Sequence, residues 1–159
     1  MRYFKLVTPF GDIMTRNFEI GADLVNPLAS EPVLEGEWLQ LDTSYHATRF
    51  INDANHVDAG ADNAGEVISF PLFAESGRYD VQALKKVPLL FLHGFEADSH
   101  LVDLTNLYIG APLEVADIEF PAGSGVDRRA LRLATGTHFV VGYVTRLFTD
   151  KVRFIRTAS

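Results

Sequence analysis

Residues 138–157, HFVVGYVTRLFTDKVRFIRT, decide the fold class of this chain. The runs 138–148 and 151–157 are short, β-branched and aromatic, which is the composition of strands. In the second run Val152, Phe154 and Arg156 share one face, while Lys151, Arg153 and Ile155 share the other. That is the period-two alternation of a half-buried strand, with Phe154 expected to pack inward.

The same signature recurs outward from this stretch. RALRLATG (129–136), NLYIG (106–110), KVPLLFLHG (86–94) and EVISFPLFA (66–74) are strand-length runs punctuated by Gly or Pro. EWLQLDT (37–43) sets Trp38 with Gln40 and Leu39 with Leu41, and RYFKLVT (2–8) sets Phe4 with Leu6 against Tyr3, Lys5 and Val7. GRYDVQALKK (77–86) fits two helical turns or a strand equally well. Residues 22–36, with Pro27 and Pro32, form an extended arm, and 51–66, rich in Asn, Asp, Ala and Gly, a long acidic loop. Short strands at this spacing predict a mainly β fold: one domain, 1–159, built as a small antiparallel β-barrel or sandwich with an extended N-terminal arm and loop segment.

Composition narrows the function classes. The chain has 159 residues, 47% of them hydrophobic, with twelve Phe and no Cys. It has enough apolar surface for a core and no means of forming disulfides, Cys-ligated zinc or a thiol nucleophile. No run reaches the roughly 18–20 apolar residues that span a bilayer, so no membrane partner is expected. The net charge is −7, unevenly spread. Residues 1–127 hold 7 basic and 20 acidic side chains, whereas 128–159 hold Arg128, Arg129, Arg132, Arg146, Lys151, Arg153 and Arg156 against Asp150 alone. Such asymmetry suits a charged partner, attraction between copies, or a basic tail folded on its own acidic body.

VPLLFLHGFEADSH (87–100) imitates the oxyanion strand of an α/β-hydrolase. The imitation stops there. A nucleophile elbow needs Gly-x-Ser-x-Gly on a strand-to-helix turn, and residues 123–127 read GSGVD between strands. His93-Gly94 is read instead as the end of a core strand.

Two further chemistries have candidates. Glu96, Asp98 and His100 would share one face of a strand and offer oxygen and nitrogen ligands to a divalent metal, the basis for a small metal-dependent enzyme. EADSH is equally the pattern of a solvated strand face. Asp53, Asn55, Asp58, Asp62 and Glu66 suggest a calcium loop, but counting from Asp53 puts Val57 at the fifth position and Ala64 at the twelfth, which breaks the EF-hand pattern. A nucleic-acid-binding barrel would use Phe148 and Phe154 among the C-terminal cations. Inward packing of Phe154 and an overall acidic chain weigh against it. No catalytic residue, metal or cofactor is expected.

Three stretches carry a resemblance: NPLASEPVLEGEWLQLD (26–42), FPLFAESGRYDVQALKKVPLLF (70–91), and the ending GAPLEVADIEF…LATGTHFVVGYVTRLFTDKVRFIRT (110–157). Together they resemble a tailed-bacteriophage capsid decoration (cement, head-stabilising) protein. The resemblance implies a mostly β protein, commonly a homotrimer, on the outer surface of the virion after assembly in the host cytoplasm. It implies the major capsid protein as partner, with no direct contact to nucleic acid. For the contacts themselves the candidates are Leu24, Val25, Leu28, Val33 and Leu34 of the arm, which the prolines prevent from forming one regular helix, and Arg153 and Arg156 of the terminal strand.

Overall fold

A strand with one apolar face must bury it against a second layer, and here much of that layer is supplied by the sheet's own curl. The computed structural model describes residues 3–8, 15–19, 34–41, 46–48, 69–71, 86–90, 94–136 and 140–156, which form eleven strands and no helix. The strands are β1 (Phe4–Leu6), β2 (Thr15–Glu19), β3 (Trp38–Leu41), β4 (Ala47–Thr48), β5 (Ser69–Pro71), β6 (Lys86–Leu90), β7 (Glu96–Ser99), β8 (Pro112–Glu119), β9 (Asp127–Leu133), β10 (Gly142–Leu147) and β11 (Val152–Arg156). Six of them make one antiparallel sheet in the order β1-β7-β11-β10-β8-β9, curled into a half-barrel. Two smaller antiparallel sheets, β2-β6 and β4-β3-β5, complete the described strands. The expected mainly β fold is the fold observed.

Alternation places the core. Val152 and Phe154 point into the half-barrel, joined by Val144 of β10, Leu113 of β8, Ala97 of β7 and Phe4 of β1, all essentially buried. Phe4, Phe95 and Phe154 meet edge to face, with ring centroids 6.1–6.4 Å apart. Trp38 adds its ring 6.1 Å from Phe154. Aromatic pairs in these arrangements gain beyond the area they bury.

Two devices draw the half-barrel's edges together. Beyond β7 the chain turns and pairs in parallel with β9: the Leu131 amide donates to the Leu101 carbonyl (3.0 Å), and the Asp103 amide donates to the Leu131 carbonyl (2.8 Å). The second device is the turn Leu34–Glu37, closed by the Glu37 amide on the Leu34 carbonyl (3.0 Å). Gly36 has φ +87°, and a Cβ there would come within 2.7 Å of the Phe4 Cβ, so only glycine lets the turn lie against β1. From the same turn, Glu37 reaches Arg128 of β9 at 3.2 Å. One short turn thus contacts both edge strands and seats Trp38 in the core.

The structure changes some expected boundaries. NLYIG is not a strand: Asn106 (φ 60°) and Gly110 (φ 88°) take left-handed backbone, and the Leu107 and Ala111 amides close tight turns on Leu104 and Tyr108. Residues 34–36, read as the end of the extended arm, form part of a buried turn, with Glu35 fully buried and Leu34 partly so. Residues 22–33, the loop 51–66, the segment 77–85, and His56, His93 and His138 lie outside the described residues.

Candidate docking face

The outer face of the six-stranded sheet is composed quite differently from its inner face. Among the described residues the exposed large apolar side chains are Val7, Tyr108, Ile109, Tyr143 and Ile155, led by Ile109 at 70% and Tyr108 at 56%. Strand register aligns three of them, Val7, Ile155 and Tyr143. The Val7 amide donates to the Glu96 carbonyl, Glu96 sits opposite Ile155, Ile155 opposite Tyr143, and Tyr143 opposite Pro112. Residues directly opposite in adjacent strands lie about 4.5–5.5 Å apart, so one row crosses five strands. Tyr108 and Ile109 occupy the turn just before β8, anchored to β10 where the Gly110 amide donates to the Val144 carbonyl (2.8 Å). Glu96 interrupts the row, but its carboxylate accepts the Thr145 hydroxyl at 2.9 Å.

A charged row runs beside the apolar one. Lys5 pairs with Asp98, Asp98 with Arg153, and Arg153 with Arg146. The register slips between Val144 and Arg146, a β-bulge that leaves both Thr145 and Arg146 exposed. A bulge sets two residues against one and re-aims the side chains around it. Asp98 is covered by its partners: Arg153 Nε at 2.7 Å, Arg153 Nη2 at 3.2 Å and Lys151 Nζ at 3.0 Å. Burial alone would push its carboxyl up, but the hydrogen bonds and charges of Arg153 and Lys151 outweigh that and hold it below the usual carboxylate value. The same contact raises Arg153. At the end of the hairpin the Phe148 ring collects three cations, with Arg146, Lys151 and Arg153 at 4.8, 4.7 and 5.6 Å from its centroid.

The residues singled out from sequence meet different fates. Glu96, Asp98 and His100 are neighbours on β7 and its end, but each is drawn to a separate partner. Glu96 takes Thr145, Asp98 takes Lys151 and Arg153, and His100 Nδ1 lies 3.1 Å from the Asp150 carbonyl and 3.6 Å from its carboxylate. Among the described residues no three His, Cys, Asp or Glu side chains are grouped to hold a metal ion. Ser124 of the GSGVD stretch sits in the exposed β8–β9 turn, its hydroxyl accepting the Val126 amide. Arg153 is on the outer face. Arg156, assigned from sequence to partner contacts, is instead 1% exposed. It shares the inward face of β11 with Phe154, donates to the Val141 carbonyl at 3.0 Å and lies 5.3 Å from the Trp38 ring centre. Burial lowers its pKa to about 10. Of the arm residues, Leu34 lies in the buried turn, and Leu24, Val25, Leu28 and Val33 are outside the described residues.

Sequence reading missed Val7, Tyr108, Ile109, Tyr143 and Arg146 as surface features. One signal was available: an Ile at 155 on the same face as Lys151 and Arg153, an apolar side chain where alternation calls for a solvated one.

Much of the basic tail folds back on the acidic body. Arg128 pairs with Glu37, Arg129 with Asp117, Arg132 with Glu114, and Lys151 and Arg153 with Asp98. Comparison of the chain with protein-family models, with curated proteins and with solved structures finds no match in any of the three.

Proposed function

We propose that this protein works by adhesion rather than by chemistry of its own, docking on a protein lattice in the manner of a tailed-phage capsid decoration protein. In this reading it binds the outer surface of the virion, bridges subunits of the major capsid protein, and does so as a homotrimer. The observation that carries the reading is the alignment of exposed Val7, Ile155 and Tyr143 on the outer face of one sheet, with exposed Tyr108 and Ile109 in the turn that leads into β8 of the same sheet. Contiguous apolar surface rimmed by charge is the mark of an interaction site. The face is built on paired strands, so little ordering entropy opposes binding. Each aliphatic or aromatic side chain fully buried on a partner is worth about 1.5–3 kcal/mol, and repetition over a lattice multiplies weak single contacts into avidity. The three stretches that resemble decoration proteins support the same reading.

The test is cosedimentation with shells assembled from the cognate capsid protein, comparing the parent chain with the double variant Ile109→Asp/Tyr143→Asp. Both side chains are exposed, so the variant keeps the parent circular dichroism spectrum and leaves the shell pellet. A folded double variant that pellets like the parent overturns the proposal.

A further inference from the structure

We infer that the docking face is made for an acidic protein surface, with Arg146 as the receptor for its carboxylate; the inference rests on the docking reading above.

Arg146 stands apart from the other cations of the hairpin. Lys151 and Arg153 are held by Asp98, whereas the contact made by Arg146 among the described residues is with the Phe148 ring, 4.8 Å from its centroid. The remaining nearby carboxylates are engaged elsewhere, Glu96 with Thr145 and Asp150 with His100. The bulge at 144–146 sets this side chain outward beside Tyr143 and Thr145. A guanidinium packed against an aromatic ring has lost much of its conformational freedom already. Its planar N–H fork is then ready for a bidentate carboxylate.

The surroundings select the class of partner. A second copy meeting this face with its own would set Arg146 and its neighbours against the same cations, which costs energy at close range. Of the rings near Arg146, Phe148 is already occupied by three cations, which withholds it as a stacking platform for bases. Beside Arg146 lie Tyr143 and Ile155, which match apolar side chains. What fits is a protein surface that combines an apolar strip with carboxylates.

The experiment is an amide-resolved NMR titration of the full chain with two probes at matched concentration: an end-capped peptide of alternating Glu and Leu, and a single-stranded oligothymidylate. The peptide is expected to move the resonances of residues 143–148 and Ile155. Its affinity should fall about tenfold in Arg146→Gln, with Arg146→Lys restoring only part, since a lysine cannot reproduce the fork. Undisturbed resonances elsewhere certify the fold of each variant. The inference is overturned if the peptide leaves this face unmoved, if Arg146→Gln binds it like the parent, or if oligothymidylate binds the face more tightly. Shell binding separates this failure from failure of the docking reading. An Arg146→Glu variant that pellets with shells like the parent, while Ile109→Asp/Tyr143→Asp does not, removes the acidic partner and leaves the docking face standing.

Discussion

The hairpins β8–β9 and β10–β11 are neighbours in one sheet and both rich in arginine, yet they use their cations in opposite ways. In β8–β9 each arginine has a carboxylate of its own: Arg128 with Glu37, Arg129 with Asp117 and Arg132 with Glu114. Glu37 and Glu114 are fully buried, and both faces of the hairpin are covered, Leu113 and Leu131 on one side, Glu114, Ala116 and Ala130 on the other. In β10–β11, Lys151 and Arg153 share the single carboxylate of Asp98, while Arg146 rests on a ring beside exposed Tyr143 and Ile155. The first hairpin spends its charges on internal closure, and the second keeps surface for something outside. Residue type is the same; what differs is that Arg146 rests on a ring where Arg128, Arg129 and Arg132 each meet a carboxylate.

That contrast is open to breaking. The largest effect should come from Arg128→Ala. It removes the guanidinium hydrogen-bonded to a fully buried Glu37, and breaking a buried ion pair by removing one partner costs about 3–5 kcal/mol. Urea denaturation should register the loss directly. A cost below about 1 kcal/mol, the scale of an exposed pair, would erase the distinction between the hairpins.

A smaller effect attaches to Asp98. Because the folded state holds its pKa below 3.8, its contribution is fully present above that value. It is lost as the pH falls from about 3.8 toward the folded pKa, as the unfolded chain takes up a proton that the folded one refuses. Asp103, also lowered, by hydrogen bonds from Thr105, behaves the same way. Thermal melts across this range should therefore show acid destabilisation that Asp98→Asn reduces but does not abolish. An unchanged slope in Asp98→Asn would mean that Lys151 and Arg153 do not hold the carboxylate in solution.

The smallest effect sharpens the comparison from the other side. Arg146→Ala and Tyr143→Ser alter exposed side chains and should change stability by no more than about 0.5 kcal/mol each. Losses several times larger would show that the outer face of β10–β11 supports the fold, not a partner.

Much of this architecture was legible residue by residue. Period two along 151–157 puts Phe154 inward, and it is fully buried. The same alternation puts Arg156 inward too, but its charge argued for the surface. The strand's geometry prevailed, because Trp38 and the Val141 carbonyl accommodate the guanidinium inside. NLYIG shows the reverse error, where β-like composition concealed two tight turns enforced by left-handed Asn106 and Gly110. The EADSH run was correctly placed on a strand face, with nothing in it to show that cations from β11 would cover Asp98.

What the sequence determined by itself is therefore what depends on near neighbours: strand class, the absence of cysteine chemistry, and which residues of β11 share a face. What only the tertiary structure decided is what depends on partners far along the chain. Arg153 and Asp98 are 55 residues apart, and Arg128 and Glu37 are 91 apart. Side-chain alternation repeats within a few residues and is written locally. Pairing register, the bulge at 144–146 and the burial of a carboxylate arise only when distant strands meet, and these set Arg146 apart from Arg128.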